Sequence, residues 1–327
     1  MSELLLGVDG GNTKTIAVVA RFDGTVVGTG SAGRSDIHSA ASPADAIEEA
    51  VRAVTAALDA AGAGPSSLAA TAFSLAGADW PEDFDALRRG LSERLGLTSE
   101  PLVVNDTIGA VRCGTLDGVG VAAVCGTHGT AGARNAGGEV YHFGFWPDDS
   151  GARALASHAL KAISRADLGV GPETSLTGRA IAWWEARDAL ELLHSFTRLD
   201  GTRIDPYDRD LFAEAVLDEA ESGDAVAAEI VTTAGTNLGN YARVCSERTR
   251  QDEGFPLVLC GGVFRHPSAL LRATILAQVP HATPVYPAVE PVAGAVLLAA
   301  DTVGARPDVD KLQPPLLSLL GNHQRKR

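Results

Sequence analysis

The chain is poor in basic residues and in long apolar runs, and each shortage excludes a class of function. It has 27 Lys and Arg against 41 Asp and Glu, which gives a formal net charge of −14. Neither nucleic acid nor an anionic membrane surface is therefore an expected partner. The apolar runs are far shorter than a membrane span, and no basic segment precedes the first of them as in a signal peptide. We expect a cytoplasmic protein.

Cysteine is also scarce. Cys113, Cys125, Cys245 and Cys260 lie far apart, and none forms a Cys-x-x-Cys pair. This pattern predicts reduced thiols. The length of 327 residues favours two domains, each large enough to bury a core.

What the chain does have, at its start, is a glycine-rich turn between two apolar strands. Residues 4–20 are typical of strand, turn and strand, and the turn is Asp9-Gly10-Gly11-Asn12-Thr13-Lys14. Successive backbone N–H groups in such a turn can bind an anion, and a carboxylate beside a phosphate needs a cation between them. Asp9 therefore indicates Mg²⁺. An ordinary hairpin is the alternative, whereas a P-loop or dinucleotide fingerprint is excluded because a strand follows.

The first 110 residues are predicted to have the order β-β-β-α-β-α-β. Apolar residues at helical spacing predict a helix over 43–61, with Pro43 in its first turn and Gly62 at its end. The last strand, 102–104, ends at Asn105-Asp106, and open α/β sheets bind ligands at the carboxyl ends of strands. Asp106 is either a ligand-binding carboxylate or the N-cap of the next helix.

The order of strand, glycine turn, strand, turn and strand recurs about 115 residues later, which indicates an internal duplication with a second phosphate loop. The second loop is Gly126-Thr127-His128-Gly129-Thr130. Two unrelated hairpins are the alternative. Helices are predicted over most of 151–250, including one at 208–222, and a buried strand at 256–260 precedes Gly261-Gly262.

Five motifs in this order resemble the BadF/BadG/BcrA/BcrD-type ATPase family, and within it the N-acetylglucosamine kinase branch, over about residues 3–302. They are the two turns, Asn105-Asp106, Cys260-Gly261-Gly262-Val263, and Pro291 to Gly294-Ala295. The resemblance implies a duplicated actin-like ATPase (ribonuclease H-like) α/β fold, with two domains and a central nucleotide cleft. It implies domains at 1–109 and 110–303, a final helix at about 291–302 that packs back on the first domain, and a loosely structured tail at 304–327.

The activity that the resemblance implies is transfer of the γ-phosphate of ATP, with Mg²⁺, to a hydroxyl of an amino sugar (N-acetylglucosamine- or glucosamine-like) or a related polyol. Asp9 would organise the metal, and Asp106 would be the catalytic base. The implied nucleotide-binding residues are Gly10, Gly11, Asn12, Thr13, Lys14, Gly126, Thr127, His128, Gly129, Thr130, Gly261 and Gly262. The implied acceptor-binding residues are Ser35, Asp36, Asn105, Asp106, Asp148 and Asp149.

The chain departs from the family pattern at the second loop and at the lid. His128 stands where the family has a small residue, so its imidazole either donates to phosphate or crowds the loop. The usual Gly-Gly-Trp-Gly before the acidic pair is shortened in residues 143–147. Turn and capping roles remain alternatives for Asp36 and for the pair Asp148 and Asp149.

Two other functions stay open from the sequence: a dehydratase-activating ATPase of the same family, and a non-catalytic protein that binds a nucleotide or sugar. The first lacks support because the cysteine-containing motif of that branch does not occur here. A small-molecule sugar is the expected partner, and a homodimer is left open.

Overall fold

The computed structural model describes residues 3–146, 149–251 and 253–312, without the side chains of residues 206 and 207. The chain divides into two compact units. Among the described residues, unit 1 contains those up to 122, those of 132–145 and those from 285 onward, and unit 2 contains those of 123–131 and 146–284. The domain limits 1–109 and 110–303 and the loose tail at 304–327 stay predictions, and residues 313–327 of that tail lie outside the described residues.

Unit 1 is built on a five-stranded sheet with the order β3-β2-β1-β4-β5. Strands β1 (Leu4–Gly10), β2 (Thr15–Arg21) and β3 (Val26–Ala32) are antiparallel neighbours, while β4 (Leu68–Leu75) and β5 (Leu102–Asn105) continue the sheet in parallel with β1. The register pairs Asp9 with Ser74 and Leu75 with Asn105. The carboxyl ends of β1, β4 and β5 therefore meet at one edge of the sheet.

Helices cover both faces of this sheet. Helices α1 (Pro43–Ala61) and α2 (Pro81–Leu95) pack with Leu6 and Val8 of β1 on one face. Leu5 points the other way and packs with α3 (Asp106–Gly114) and α11 (Pro291–Val303). Successive side chains of a strand alternate between faces, so a strand covered on both sides is apolar throughout.

Helix α11 approaches its neighbours closely because its sequence is rich in small residues. A Cβ atom at Gly294 would lie 1.9 Å from the carbonyl oxygen of Gly109 on α3. A Cβ atom at Gly7 of β1 would lie 2.3 Å from the backbone nitrogen of Val296. Only glycine fits at these two contacts. Beyond the helix, Leu312 is buried in the same apolar cluster, and Lys311 Nζ lies 2.7 Å from Asp23 Oδ2.

A second five-stranded sheet has the order β10-β9-β6-β7-β8. This is the order of the first sheet when β6 to β10 are matched in turn to β1 to β5. The strands are β6 (Gly120–Cys125), β7 (Gly129–Arg134), β8 (Val140–Phe143), β9 (Phe255–Cys260) and β10 (Ala282–Val285). The same topology in both sheets confirms the duplication that the sequence predicts.

Helices make up most of unit 2. They are α4 (Ala152–Asp167), α5 (Leu176–Trp183), α6 (Ala189–Ser195), α7 (Pro206–Asp210), α8 (Ala213–Glu221), α9 (Ala225–Arg248) and α10 (Ala269–Gln278). The single helix predicted over 208–222 is wrong, because the chain breaks between α7 and α8. The break lets the Asp210 carboxylate pair with Arg153 of α4 while Phe212 is buried.

Two sequence predictions concern membrane segments and thiols. Across the described ranges, no helix is both long and apolar enough to cross a membrane. The four cysteines are buried free thiols, and burial raises the pKa of three of them, Cys113, Cys125 and Cys245, to about 12. These thiols are therefore protonated at neutral pH and unreactive as nucleophiles.

Candidate active site

Three aspartates lie at the carboxyl ends of the parallel strands of unit 1. Asp9 lies near the end of β1, Asp79 follows β4 by four residues, and Asp106 directly follows β5. Their charges interact, since Asp9 and Asp79 both raise the pKa of Asp106. Like charges gathered at one edge are costly for the folded state, which is typical of a site built for binding or catalysis.

Asp106 is half-buried at the first position of α3. The residue that caps this helix is Asn105, whose Oδ1 accepts the backbone N–H of Thr107 over 3.1 Å. The alternative that Asp106 is the N-cap is therefore wrong. Burial, together with the charges of Asp9 and Asp79, raises the pKa of Asp106 to about 7. A carboxyl group with that pKa can accept or release a proton at neutral pH.

Asp79 belongs to the same group, and the sequence analysis missed it. Its Oδ1 accepts a hydrogen bond from Asn105 Nδ2 over 3.1 Å. Burial raises the pKa of Asp79 to about 6, against the opposing effects of His38 and Asn105. His142 Nε2 lies 3.3 Å from the Asp79 carbonyl oxygen. Asp79 lies just beyond the carboxyl end of a parallel strand, and this position is the signal in the sequence that could have identified it.

Ser35 and Asp36, two predicted acceptor-binding residues, lie in the loop after β3. The Asp36 carboxylate is buried, with Oδ2 accepting from Asn12 Nδ2 and Oδ1 from the backbone N–H of His38, both over 2.8 Å. The Ser35 hydroxyl accepts from Thr15 Oγ1 over 2.8 Å. The structure therefore joins Asp36 directly to the first predicted phosphate loop.

The first loop turns tightly between β1 and β2, with the Gly11 N–H donating to the Lys14 carbonyl oxygen over 3.0 Å. Asp9 is half-buried beside it, and burial raises its pKa to about 6 while Lys14 opposes the shift. Within the described ranges, no group of three or more His, Cys, Asp or Glu residues could hold a metal ion. Mg²⁺ at a nucleotide needs only one or two carboxylates with phosphate oxygens and water. Asp9 fits this requirement as a single ligand.

The second loop, residues 126–130, packs on the first turn of α4 within unit 2. The backbone N–H groups of Ala152 and Arg153 donate to the carbonyl oxygens of Gly126 and Thr127, over 2.9 and 3.0 Å. The N–H of Gly129 donates to the Ser150 carbonyl oxygen over 3.2 Å. The loop is therefore bonded to the helix start along most of its length.

His128 contacts a residue that the sequence analysis missed. Its Nε2 lies 3.4 Å from Nη1 of Arg153. Because arginine can only donate, His128 Nε2 is the acceptor, and the proton of the neutral ring is assigned to Nδ1. Arg153 Nε and Nη2 in turn donate to Oδ2 of buried Asp210, over 3.1 and 3.0 Å. No sequence signal links these three residues, because they come from separate elements.

The remaining predicted site residues lie in two other parts of unit 2. Gly261 has a φ of 106°, and a Cβ atom there would lie 2.5 Å from the Cys125 carbonyl oxygen, so glycine is required at the end of β9. At Gly262, by contrast, the described structure leaves open space where a side chain would stand. Asp149 is exposed and pairs with His158 Nε2 over 2.8 Å. Asp148 lies outside the described residues.

The sequence matches the BadF/BadG/BcrA/BcrD ATPase family over residues 6–299. The chain belongs to this family. Over 321 residues, the chain is 25% identical to an N-acetyl-D-glucosamine kinase of Dictyostelium discoideum. The alignment covers 92% of this chain and 98% of that relative.

Solved structures share the fold. A crystal structure of a candidate N-acetylglucosamine kinase from Chromobacterium violaceum superposes with a TM-score of 0.69 at 22% identity, covering 91% of this chain and 99% of that one. A ROK family glucokinase from Streptomyces griseus, solved with glucose and AMPPNP, superposes with a TM-score of 0.56 at 19% identity, covering 91% and 98%. The fold class predicted from the sequence is thereby confirmed.

Proposed function

We propose that this protein is an ATP- and Mg²⁺-dependent kinase that phosphorylates a hydroxyl group of an amino sugar, N-acetylglucosamine- or glucosamine-like. The observation that carries the proposal is Asp106, a half-buried carboxyl group at the carboxyl end of β5 with a pKa of about 7. The family match and the name of the Dictyostelium relative support this reaction and this class of acceptor.

The acceptor hydroxyl is proposed to bind at Asp106, which aligns it and takes its proton as the phosphoryl group arrives. Asn105 caps α3, the helix that begins with Asp106, and it also donates to the Asp79 carboxylate. Ser35 and Asp36 are proposed to orient the sugar from the loop after β3. Asp148 and Asp149 remain proposed sugar contacts by resemblance alone.

The nucleotide is proposed to bind through the two glycine loops. The residues proposed to contact the phosphates are Gly10, Gly11, Asn12, Thr13 and Lys14 of the first loop and Gly126, Thr127, His128, Gly129 and Thr130 of the second loop. Gly261 and Gly262 would admit the adenosine. Asp9 would hold Mg²⁺, which supplies neutralisation of the phosphate charge when bound.

Acceptor-dependent ADP release tests the proposal. The purified protein is incubated with ATP and Mg²⁺ and one member of a panel of hexosamines, N-acetylhexosamines, hexoses and cyclitols, or no acceptor. We expect a hexosamine or N-acetylhexosamine to accelerate ADP release most and to gain one phosphoryl group by mass spectrometry. If no acceptor raises ADP release above the acceptor-free rate, the proposed function is wrong.

The variant Asp106→Asn tests the assigned base. Turnover with the best acceptor should fall about 10²-fold or more, the scale expected for a lost acid–base group. ATP should still raise the melting temperature, because the nucleotide contacts are unchanged. Asp59→Asn, on the exposed side of α1, is the matched control and should retain full turnover. Full turnover in Asp106→Asn would contradict the assignment.

A further inference from the structure

Two backbone N–H groups of the second loop already donate within the protein. The Gly126 N–H donates to the His128 carbonyl oxygen over 3.0 Å, and the Gly129 N–H donates to Ser150. The N–H groups of Ala152 and Arg153 at the start of α4 are also occupied by loop carbonyls. A helix start and a glycine loop normally bind phosphate through such groups. Because these groups are occupied, a side chain that donates to phosphate would add to the binding.

Arg153 is the cationic side chain at this place, and its position is unfavourable without an anion. It lies in the first turn of α4, where the helix dipole is positive and repels a cation. The guanidinium is nevertheless held there on two sides, by Asp210 Oδ2 and by His128 Nε2. Its side chain remains 41% exposed, whereas that of Asp210 is 5% exposed. The arginine is thus preorganised and accessible.

Beside the loop, the hydroxyl group of Ser150 is buried without a hydrogen-bond partner among the described residues. The Ser150 residue is 1% exposed. It lies against the loop, since a Cβ atom at Gly129 would be 2.2 Å from Ser150 Oγ. A buried hydroxyl without a partner is rare in folded proteins and points to a bound group that satisfies it.

We infer that Arg153 binds the β- or γ-phosphate of the nucleotide, with His128 and Asp210 as the residues that position its guanidinium. A phosphate there would place negative charge at the positive end of the helix dipole, add a second anionic partner to the guanidinium beside Asp210, and offer an acceptor to the Ser150 hydroxyl. The guanidinium has five N–H donors, so bonds to Asp210 and His128 leave donors for phosphate oxygens. The inference rests on the proposed function, because it takes the nucleotide as the ligand.

Nucleotide affinities of Arg153→Met test the inference. Dissociation constants for ATP, ADP and AMP are measured with Mg²⁺ by calorimetry, together with the melting temperature of each free protein. Loss of a charged hydrogen bond to phosphate should weaken ATP binding about 10- to 100-fold, and ADP binding too if the β-phosphate is contacted. AMP affinity should be unchanged. Arg153→Lys keeps the charge without the planar fork and should bind ATP with intermediate affinity.

The control is Arg179→Met on α5, because Arg179 is 43% exposed, close to the exposure of Arg153, and also pairs with an aspartate, Asp218. It should bind all three nucleotides as the unsubstituted protein does. Since Arg153→Met removes the hydrogen-bonding partner of buried Asp210, Arg153→Met combined with Asp210→Asn removes both charges and should show the same selective loss of ATP affinity. His128→Gly, which frees the guanidinium on one side, should weaken ATP binding by a smaller factor.

Two results would overturn the inference: unchanged ATP affinity in Arg153→Met, or an equal loss of ATP and AMP affinity in the double variant. The second result would mean that Arg153 only supports the fold of the loop. Both outcomes are separable from failure of the proposed function. A protein that binds ATP through Arg153 but phosphorylates no sugar would retain the inference and lose the kinase assignment.

Discussion

The side-chain amide of Asn105 donates to the carboxylate of Asp79 over 3.1 Å. This bond joins the segment after β4 to the segment after β5, and the carbonyl oxygen of the same Asn105 side chain caps the helix that begins with Asp106. Asp79 and Asp106 are therefore held near each other by a shared neighbour, and the charge of one affects the proton affinity of the other.

The first prediction concerns the pH dependence of turnover. The active form needs ionised Asp106, so kcat/KM should rise as the pH passes through about 7. Asp79→Asn removes a negative charge that favours protonated Asp106 and lowers its pKa. The acid limb should move to lower pH, by about one unit. The measurement is kcat/KM as a function of pH for the unsubstituted protein, for Asp79→Asn and for the control Asp59→Asn. If the acid limb of Asp79→Asn lies at the same pH as that of the unsubstituted protein, the two carboxylates are uncoupled.

The second prediction is that Asp106→Asn stabilises the protein above neutral pH. The folded state keeps the Asp106 proton up to about pH 7, while the unfolded chain releases it near its ordinary pKa of 3.8. The folded form therefore binds more protons in this window, and its stability falls as the pH rises through it. The neutral asparagine escapes this loss.

Thermal or urea unfolding at pH 5 and pH 8 would measure this effect. We expect a gain of about 1 kcal/mol or more for Asp106→Asn at pH 8, the usual size for relief of a strained functional group, and a smaller difference at pH 5. A variant less stable than the unsubstituted protein at pH 8 would show that the carboxylate supports the fold instead.

The third prediction is that Asp9 makes nucleotide stabilisation depend on Mg²⁺. ATP with Mg²⁺ should raise the melting temperature more than ATP with EDTA, because a ligand that binds only the folded state stabilises it. In Asp9→Asn the two shifts should become nearly equal, since the proposed metal ligand has lost its charge. The shift measured with EDTA serves as the internal control. If the Mg²⁺-dependent part persists, Asp9 is only a turn residue.

The fourth prediction concerns the packing of α11. Gly294→Ala would place a Cβ atom 1.9 Å from the Gly109 carbonyl oxygen, so the helix or its neighbour must move. Overpacking of this kind should cost about 1–3 kcal/mol of unfolding free energy. Gly178→Ala in α5 is the control, because open space surrounds that position, and it should add about 0.5–1 kcal/mol. Equal effects at both sites would show that helix propensity alone decides them.

Local chemistry explains which elements were predictable. The bounds predicted for α1 match the observed Pro43–Ala61, since the Ser42 cap, the proline in the first turn and the left-handed Gly62 all act within a few residues. The three strands before it and the short strand ending at Asn105 were likewise found from apolar runs and turns. Asp106 was singled out because it follows such a strand.

The residues that the sequence analysis missed depend on contacts between distant segments. Asp79 matters because Asn105 on another strand donates to it, and Arg153 matters because Asp210 and His128 hold it. The break between α7 and α8 has the same origin, since buried Asp210 pairs with α4. The spacing of apolar residues predicts one continuous helix through this break, because a local sequence pattern carries no information about a partner on a distant helix.

The close packing of α11 against β1 and α3 has a consequence for folding during synthesis of the chain. The apolar face that carries Leu5 needs this helix as cover, yet residues 115–290 must leave the ribosome before the helix does. Until then the nascent unit 1 exposes a hydrophobic surface, so it cannot follow the common order in which the first part of a chain folds to completion first. Its folding cannot be completed until α11 has been synthesised, and premature termination upstream of Pro291 would leave a product prone to aggregate.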